Sequence, residues 1–81
     1  MIKNKIKGLL SLKGYTFADY SRKLNIAPQS LQTKAKKDAY KIRDLIELAD
    51  LTNTTLSFID NETGKTLIEF DPSDIEEKET N

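Results

Sequence analysis

Eighty-one residues, 37% apolar and 32% charged, make one small domain with a single core, and 13 Lys/Arg balance 13 Asp/Glu. With no His and no Cys, the chain lacks the commonest general base, the thiolate nucleophile, disulfides and the usual ligands of structural zinc, which points away from an enzyme, a metal site or a cofactor, and so small a domain leaves little room for a small-molecule pocket. No apolar run approaches the roughly 18 residues of a membrane-spanning helix, and residues 1–13 hold four lysines without the long apolar stretch or cleavage site of a signal peptide, so a cytoplasmic protein that engages no membrane is expected.

Taken in chain order, Ile2, Ile6, Leu9 and Leu10 form one stripe at helical spacing, with Lys3, Lys5 and Lys7 off it, predicting a helix over about 2–13 that Gly14 ends. Thr16 caps a second helix over 17–24, with Asp19 at the capping-box position and Phe17, Tyr20 and Leu24 on the apolar face. Asn25-Ile26-Ala27 reads as a tight turn whose Ile26 points inward. Pro28 suits the first turn of a third helix over 28–37, with Leu31 and Ala35 facing the core. Asp38-Ala39-Tyr40 breaks that pattern. Ile42, Leu45, Ile46 and Ala49 then mark a fourth helix over 41–51.

The apolar period next shortens from 3.6 to 2. Strands are predicted over about 55–60 and 66–70, joined by Asp60-Asn61-Glu62-Thr63-Gly64-Lys65, in which Gly64 supplies the positive φ of a turn with a bulge. A hairpin alone is marginal in water, so this one must pack on the helices or pair with another chain. From Asp71 the chain is acidic and nearly free of apolar residues, Ile75 excepted, and 71–81 is expected to be a disordered tail, the alternative being a short helical turn capped by Ser73 with Glu76. The expected fold class is therefore mainly α with a small two-stranded antiparallel hairpin: one domain over 1–70, then the tail.

Zero net charge conceals a segregation of signs. Residues 1–43 carry eleven Lys/Arg against Asp19 and Asp38, and residues 44–81 carry eleven Asp/Glu against Lys65 and Lys78. Such a split sets up a field across the molecule and suits the N-terminal half to a polyanion. Within that half, Thr16 to Lys36 has the plan of a helix-turn-helix: a short helix, a three-residue turn and a second short helix that enters the DNA major groove. Ser21 is small where the two helices cross, Ile26 plugs the turn and Leu31 faces back from the second helix.

With these residues in place, the stretch from about Ile2 to Leu56 resembles the Cro/repressor-type (XRE-type) helix-turn-helix family. Thr16-Phe17-Ala18-Asp19-Tyr20-Ser21 keeps the Thr, the acidic position and the small residue of that family's Thr-Gln-x-Glu-Leu-Ala pattern, while Phe17 and Tyr20 replace its Gln and Leu. Asn25 stands for the turn glycine, Ala27 for the Ser/Thr cap, and Gln29-Ser30-Leu31 keeps the opening of the recognition helix. Phe58-Ile59-Asp60-Asn61-Glu62-Thr63-Gly64-Lys65 is similar to a hairpin in short relatives from bacterial mobile elements. The resemblance implies a repressor-like four-helix bundle followed by the hairpin, and a sequence-specific double-stranded DNA-binding transcription regulator of bacterial, phage or mobile-element type, working at the nucleoid.

It further implies that the helix 28–37 enters the major groove, with Gln29, Ser30, Gln32 and Thr33 reading bases and Thr16, Arg22, Lys23, Lys34, Lys36 and Lys37 contacting phosphates. Gln can bond bidentately to adenine, and the Thr methyl can meet a thymine methyl. Lysines hold register without reading sequence. The acidic C-terminal half should point away from DNA, leaving the hairpin free to join two copies into a homodimer whose recognition helices lie about 34 Å apart. The alternative reading is a protein-interaction module, such as an antitoxin or adaptor, that holds a protein partner with the same helices and hairpin.

Overall fold

Four helices and one hairpin follow one another along residues 2–75, the part of the chain that the computed structural model describes: α1 (Ile2–Leu12), α2 (Phe17–Leu24), α3 (Pro28–Lys36), α4 (Ile42–Thr52), β1 (Leu56–Ile59) and β2 (Thr66–Phe70). A single 3₁₀ turn, Pro72–Asp74, comes last. The mainly helical class, with a two-stranded antiparallel hairpin after the helices, is the one expected from the sequence. Among the described residues no helix is long and apolar enough to cross a membrane.

Local chemistry sets each boundary. At the end of α1 the chain turns through Gly14 at φ 83°, and the Tyr15 N–H donates to the Leu10 carbonyl at 2.8 Å. The α2 capping box forms in full: the Asp19 N–H donates to the Thr16 hydroxyl at 3.1 Å, and the Thr16 N–H donates to the Asp19 carboxylate at 2.8 Å. Asn25 ends α2 in the left-handed region at φ 59°, which lets the Ile26 N–H close on the Ser21 carbonyl at 3.1 Å. Pro28 opens α3, where its missing N–H costs nothing, and Ala27 offers no side-chain cap. Asp38, at φ 52°, and Asn53, at φ 56°, stop α3 and α4 by the same left-handed device.

The helices meet around Ile6, Leu10, Tyr20, Leu31 and Leu48, all buried, with Phe17, Leu24, Ile26 and Leu45 packed against them. Burying an apolar side chain of this size contributes roughly 1.5–3 kcal/mol, so these five positions dominate the core. Ser21 is 1% exposed and donates its hydroxyl to the Ala18 carbonyl at 2.8 Å, which satisfies that buried polar group. The core therefore pins α2 and α3 to each other and leaves the far side of α3 in solvent.

In the hairpin, Leu56 pairs with Phe70, Ser57 with Glu69 and Phe58 with Ile68, and a bulge between Phe58 and Ile59 sets Ile59 against Thr66. Gly64 takes φ 76° in the turn, where the Asp60 N–H donates to the Lys65 carbonyl and the Gly64 N–H to the Asp60 carbonyl, each at 2.8 Å. Leu56, Phe58, Ile68 and Phe70 share one face, with the two phenyl rings edge-on at 6.2 Å. The base of the hairpin packs through β1 against α4, while Phe58 is 65% exposed and Ile68 55%.

The expectation of a disordered tail from residue 71 is corrected for its first part. Asp71 accepts the Ser73 N–H at 2.9 Å, Asp74 accepts the Asp71 N–H at 2.9 Å, and Pro72 starts the turn between them. The turn places Ile75 on the wall of one open cavity with Ile42 and Ile46 of α4. The remainder of the expected tail, 76–81, lies outside the described residues.

Candidate nucleic-acid interface

The outer face of α3 carries Gln29, Ser30, Gln32 and Thr33, all exposed, because Leu31 and Ala35 on the opposite side are held in the core. Lys36 stands at the end of that face. Across from it, α1 brings up Lys3, and the five residues Lys3, Gln29, Gln32, Thr33 and Lys36 line one open concavity of about 480 Å³. Two amides lie between two ammonium groups, with no carboxylate in the lining. Such a surface offers hydrogen-bond donors and acceptors flanked by positive charge.

The ten residues expected to touch DNA do not form one set. Gln29, Ser30, Gln32 and Thr33 share the face. The Thr33 hydroxyl donates to the Gln29 carbonyl at 3.1 Å, so its methyl is the part left for a partner. Lys36 and Lys37 are exposed and have no carboxylate within 4.0 Å among the described residues. Arg22 is exposed but paired with Asp19 one turn earlier. The Thr16 hydroxyl is engaged as the α2 cap.

Lys23 and Lys34 belong elsewhere. The Lys23 ammonium lies 2.5 Å from Asp50 and 3.7 Å from Glu47, both on α4. The hydrogen bond to Asp50 pushes its pKa above the ordinary lysine value. Lys34 lies 2.9 Å from Asp44. The Asp44 carboxylate is buried and also accepts the Lys41 N–H at 2.8 Å, while the Asp44 carbonyl accepts the Tyr20 hydroxyl at 2.7 Å. A buried carboxylate needs such partners, because an unpaired buried charge costs several kcal/mol. These two lysines therefore fasten α2 and α3 to α4.

Two cations of α1 were not singled out by the sequence reading. Lys3 lines the concavity, and the Lys7 ammonium sits 5.2 Å from the centroid of the Phe17 ring at the start of α2. Phe17 thus serves as an aromatic platform for a cation. The signal was available: Lys3 and Lys7 are one helical turn apart and off the apolar stripe.

No family model, no curated protein and no solved structure matches this chain.

Proposed function

We propose that this chain is a sequence-specific double-stranded DNA-binding transcription regulator that lays α3 in the major groove. Gln29 and Gln32 read base edges through their amides, Ser30 and the Thr33 methyl supply further base contacts, and Lys3, Lys36 and Lys37 neutralise phosphates on either side. The observation that carries this reading is the outer face of α3: four base-competent side chains in solvent, bordered by Lys3 and Lys36 and free of carboxylates. The helix-turn-helix pattern from Thr16 to Lys36 and its resemblance to the Cro/repressor type support it. The exposed apolar hairpin favours a second reading, a module that captures a protein partner, and salt separates the two. A DNA complex loses affinity with log salt at about −0.9 per phosphate contact.

Selection of bound duplexes from a random pool, followed by titration of the selected sequence, tests the proposal. Gln32→Ala should relax preference at one or two positions, by roughly 1–3 kcal/mol of discrimination. Lys36→Ala should weaken all sequences alike and lower the salt slope by about 1. Lys23→Ala should leave that slope unchanged, because its ammonium faces α4. Recovery of no preferred sequence, with Gln32→Ala and Lys36→Ala indistinguishable from the parent, would sink the reading.

A further inference from the structure

α1 is a helix of one sign. It carries Lys3, Lys5 and Lys7 and no carboxylate, and the first acidic residue of the chain is Asp19. Lys3 and Lys7 stand one turn apart on the same flank of α1, about 6 Å along its axis, whereas Lys5 lies about 160° around the helix from Lys7. Lys3 lines the concavity beside Gln29 and Gln32. Lys7 reaches the first residue of α2, where its ammonium lies 5.2 Å from the centroid of the Phe17 ring. The flank that joins them therefore runs from the outer face of α3 to the start of α2.

Lys7 is held there without being neutralised. Among the described residues no carboxylate lies within 4.0 Å of Lys3 or Lys7. Asp19, the acidic side chain in the first turn of α2, is committed to the Thr16 N–H and to Arg22. A ring face attracts an ammonium group but does not cancel its charge. The ring is itself fixed. Phe17 packs on the core and meets Tyr20 edge-on at 6.4 Å, and Tyr20 is fully buried with its hydroxyl bonded to the Asp44 carbonyl at 2.7 Å. An exposed lysine normally loses side-chain freedom when it meets a partner, and one already resting on a ring loses less.

We infer that α1 is a second phosphate-contacting element of this molecule: Lys3 and Lys7, the latter positioned by Phe17, hold the phosphates of one DNA strand where it passes from the α3 concavity towards the start of α2. This inference rests on the reading of α3 as the helix that enters the groove, and it deepens that reading by assigning the flank that fixes register. The two surfaces divide the work. Gln29 and Gln32 read bases, while Lys7 adds charge without base readout. Phe17 touches no phosphate in this arrangement and acts through Lys7.

Titration of a short duplex of random sequence over a range of salt tests the inference. Lys7→Gln should lower the slope of log affinity against log salt by about 0.9, and adding Lys3→Gln should lower it by about as much again. Lys5→Gln removes the same charge from the same helix and should leave the slope unchanged. Lys7 and Lys5 are exposed, so both variants should keep the helical circular dichroism of the parent. Phe17→Leu keeps the charge and most of the apolar bulk. It should weaken binding about two- to fivefold in the parent and not at all beside Lys7→Gln, and Phe17→Tyr, which keeps a ring, should bind like the parent. A purely structural role of Phe17 would weaken both backgrounds alike. Equal slopes for Lys7→Gln and Lys5→Gln overturn the inference, as does a Phe17→Leu loss that persists without Lys7. Lys36→Ala separates this failure from that of the α3 reading. If Lys36→Ala still lowers the slope by about 1, only the α1 flank is lost. A chain that binds no duplex, or whose binding ignores both Lys36 and Lys7, overturns both.

Discussion

Asp44 does more for this molecule than any other polar residue. Its carboxylate caps the start of α4 through the Lys41 N–H and holds Lys34 of α3, and its carbonyl receives the Tyr20 hydroxyl from the core of α2. Asp44→Ala removes the cap and leaves the Lys34 ammonium unpaired in a half-buried site. A lost cap costs about 1 kcal/mol. A lost partner of a fully buried charge costs about 3–5 kcal/mol, which must be discounted because Lys34 keeps some contact with water. We expect a loss of about 2–3 kcal/mol in urea unfolding, and a loss below about 0.5 kcal/mol would contradict the role given to this network. Sequence reading missed Asp44 because neither its spacing nor its type marks it. It sits ten residues after Lys34, and only the folded α3–α4 packing brings the two within 2.9 Å. The same holds for Lys23, whose partner Asp50 is 27 residues away.

Elements were more legible than residues, because caps and periods are local. Thr16 with Asp19, Asn25, Pro28 and Gly64 each mark a boundary by chemistry that acts within a few residues, and each does so in the structure. From Asp71 a helical turn is only the alternative reading to a tail, with Ser73 and Glu76 as its cap, whereas the 3₁₀ turn forms at Pro72–Asp74. Its capping pair, Asp71 with Asp74, lies in an acidic run that reads as a solvated tail, and the one apolar residue beside it is Ile75, which lines an open cavity with Ile42 and Ile46. The start of α3 is incomplete, since Ala27 supplies no side-chain oxygen to its first N–H groups. Ala27→Ser should stabilise the fold by about 0.5–2 kcal/mol, read as a rise in the denaturation midpoint at constant slope. If the uncapped N–H groups also serve a phosphate, the same substitution should weaken DNA binding. Raised stability with unchanged affinity would remove that second use.

At the scale of the whole molecule, the segregation of charge was visible in the sequence but its partial cancellation was not. Asp44 of α4 reaches across to Lys34, Glu47 and Asp50 reach to Lys23, and Glu47 also pairs with Arg43 one turn earlier on the same helix. What remains unpaired on the basic side clusters by α3 and α1, which is why the surface beside Gln29 and Gln32 is positive although the chain is neutral. The response to pH follows from the same packing. Burial raises the Tyr20 phenol above its ordinary value near 10, with the Asp44 charge adding to it, and burial with Asp38 nearby raises Tyr40. The hydrogen bond to Asp50 raises Lys23. All three groups hold their protons more tightly when folded, so stability is at its full value below about pH 10 and falls as pH rises above it. Asp19 works in the opposite sense. The Thr16 N–H, aided by Arg22, holds its carboxyl below the usual range, so a small contribution present above about pH 4 is lost on acidification. A thermal midpoint that is level between about pH 5 and 9 and drops steeply above pH 10 is expected, and a midpoint unchanged at pH 11 would contradict this account of the core.

The orientation of α3 on a duplex has the most direct test in amide chemical shifts of the isotope-labelled chain, titrated at low salt with a short duplex of random sequence. Non-specific and specific binding share the electrostatic footprint of the protein. The amides of residues 28–37, with those around Lys3 and Lys7, should therefore shift together and recover as salt is added. Shifts confined to the hairpin or to the acidic face of α4, with α3 silent at saturating duplex, would contradict the proposal that this helix is the DNA-reading element.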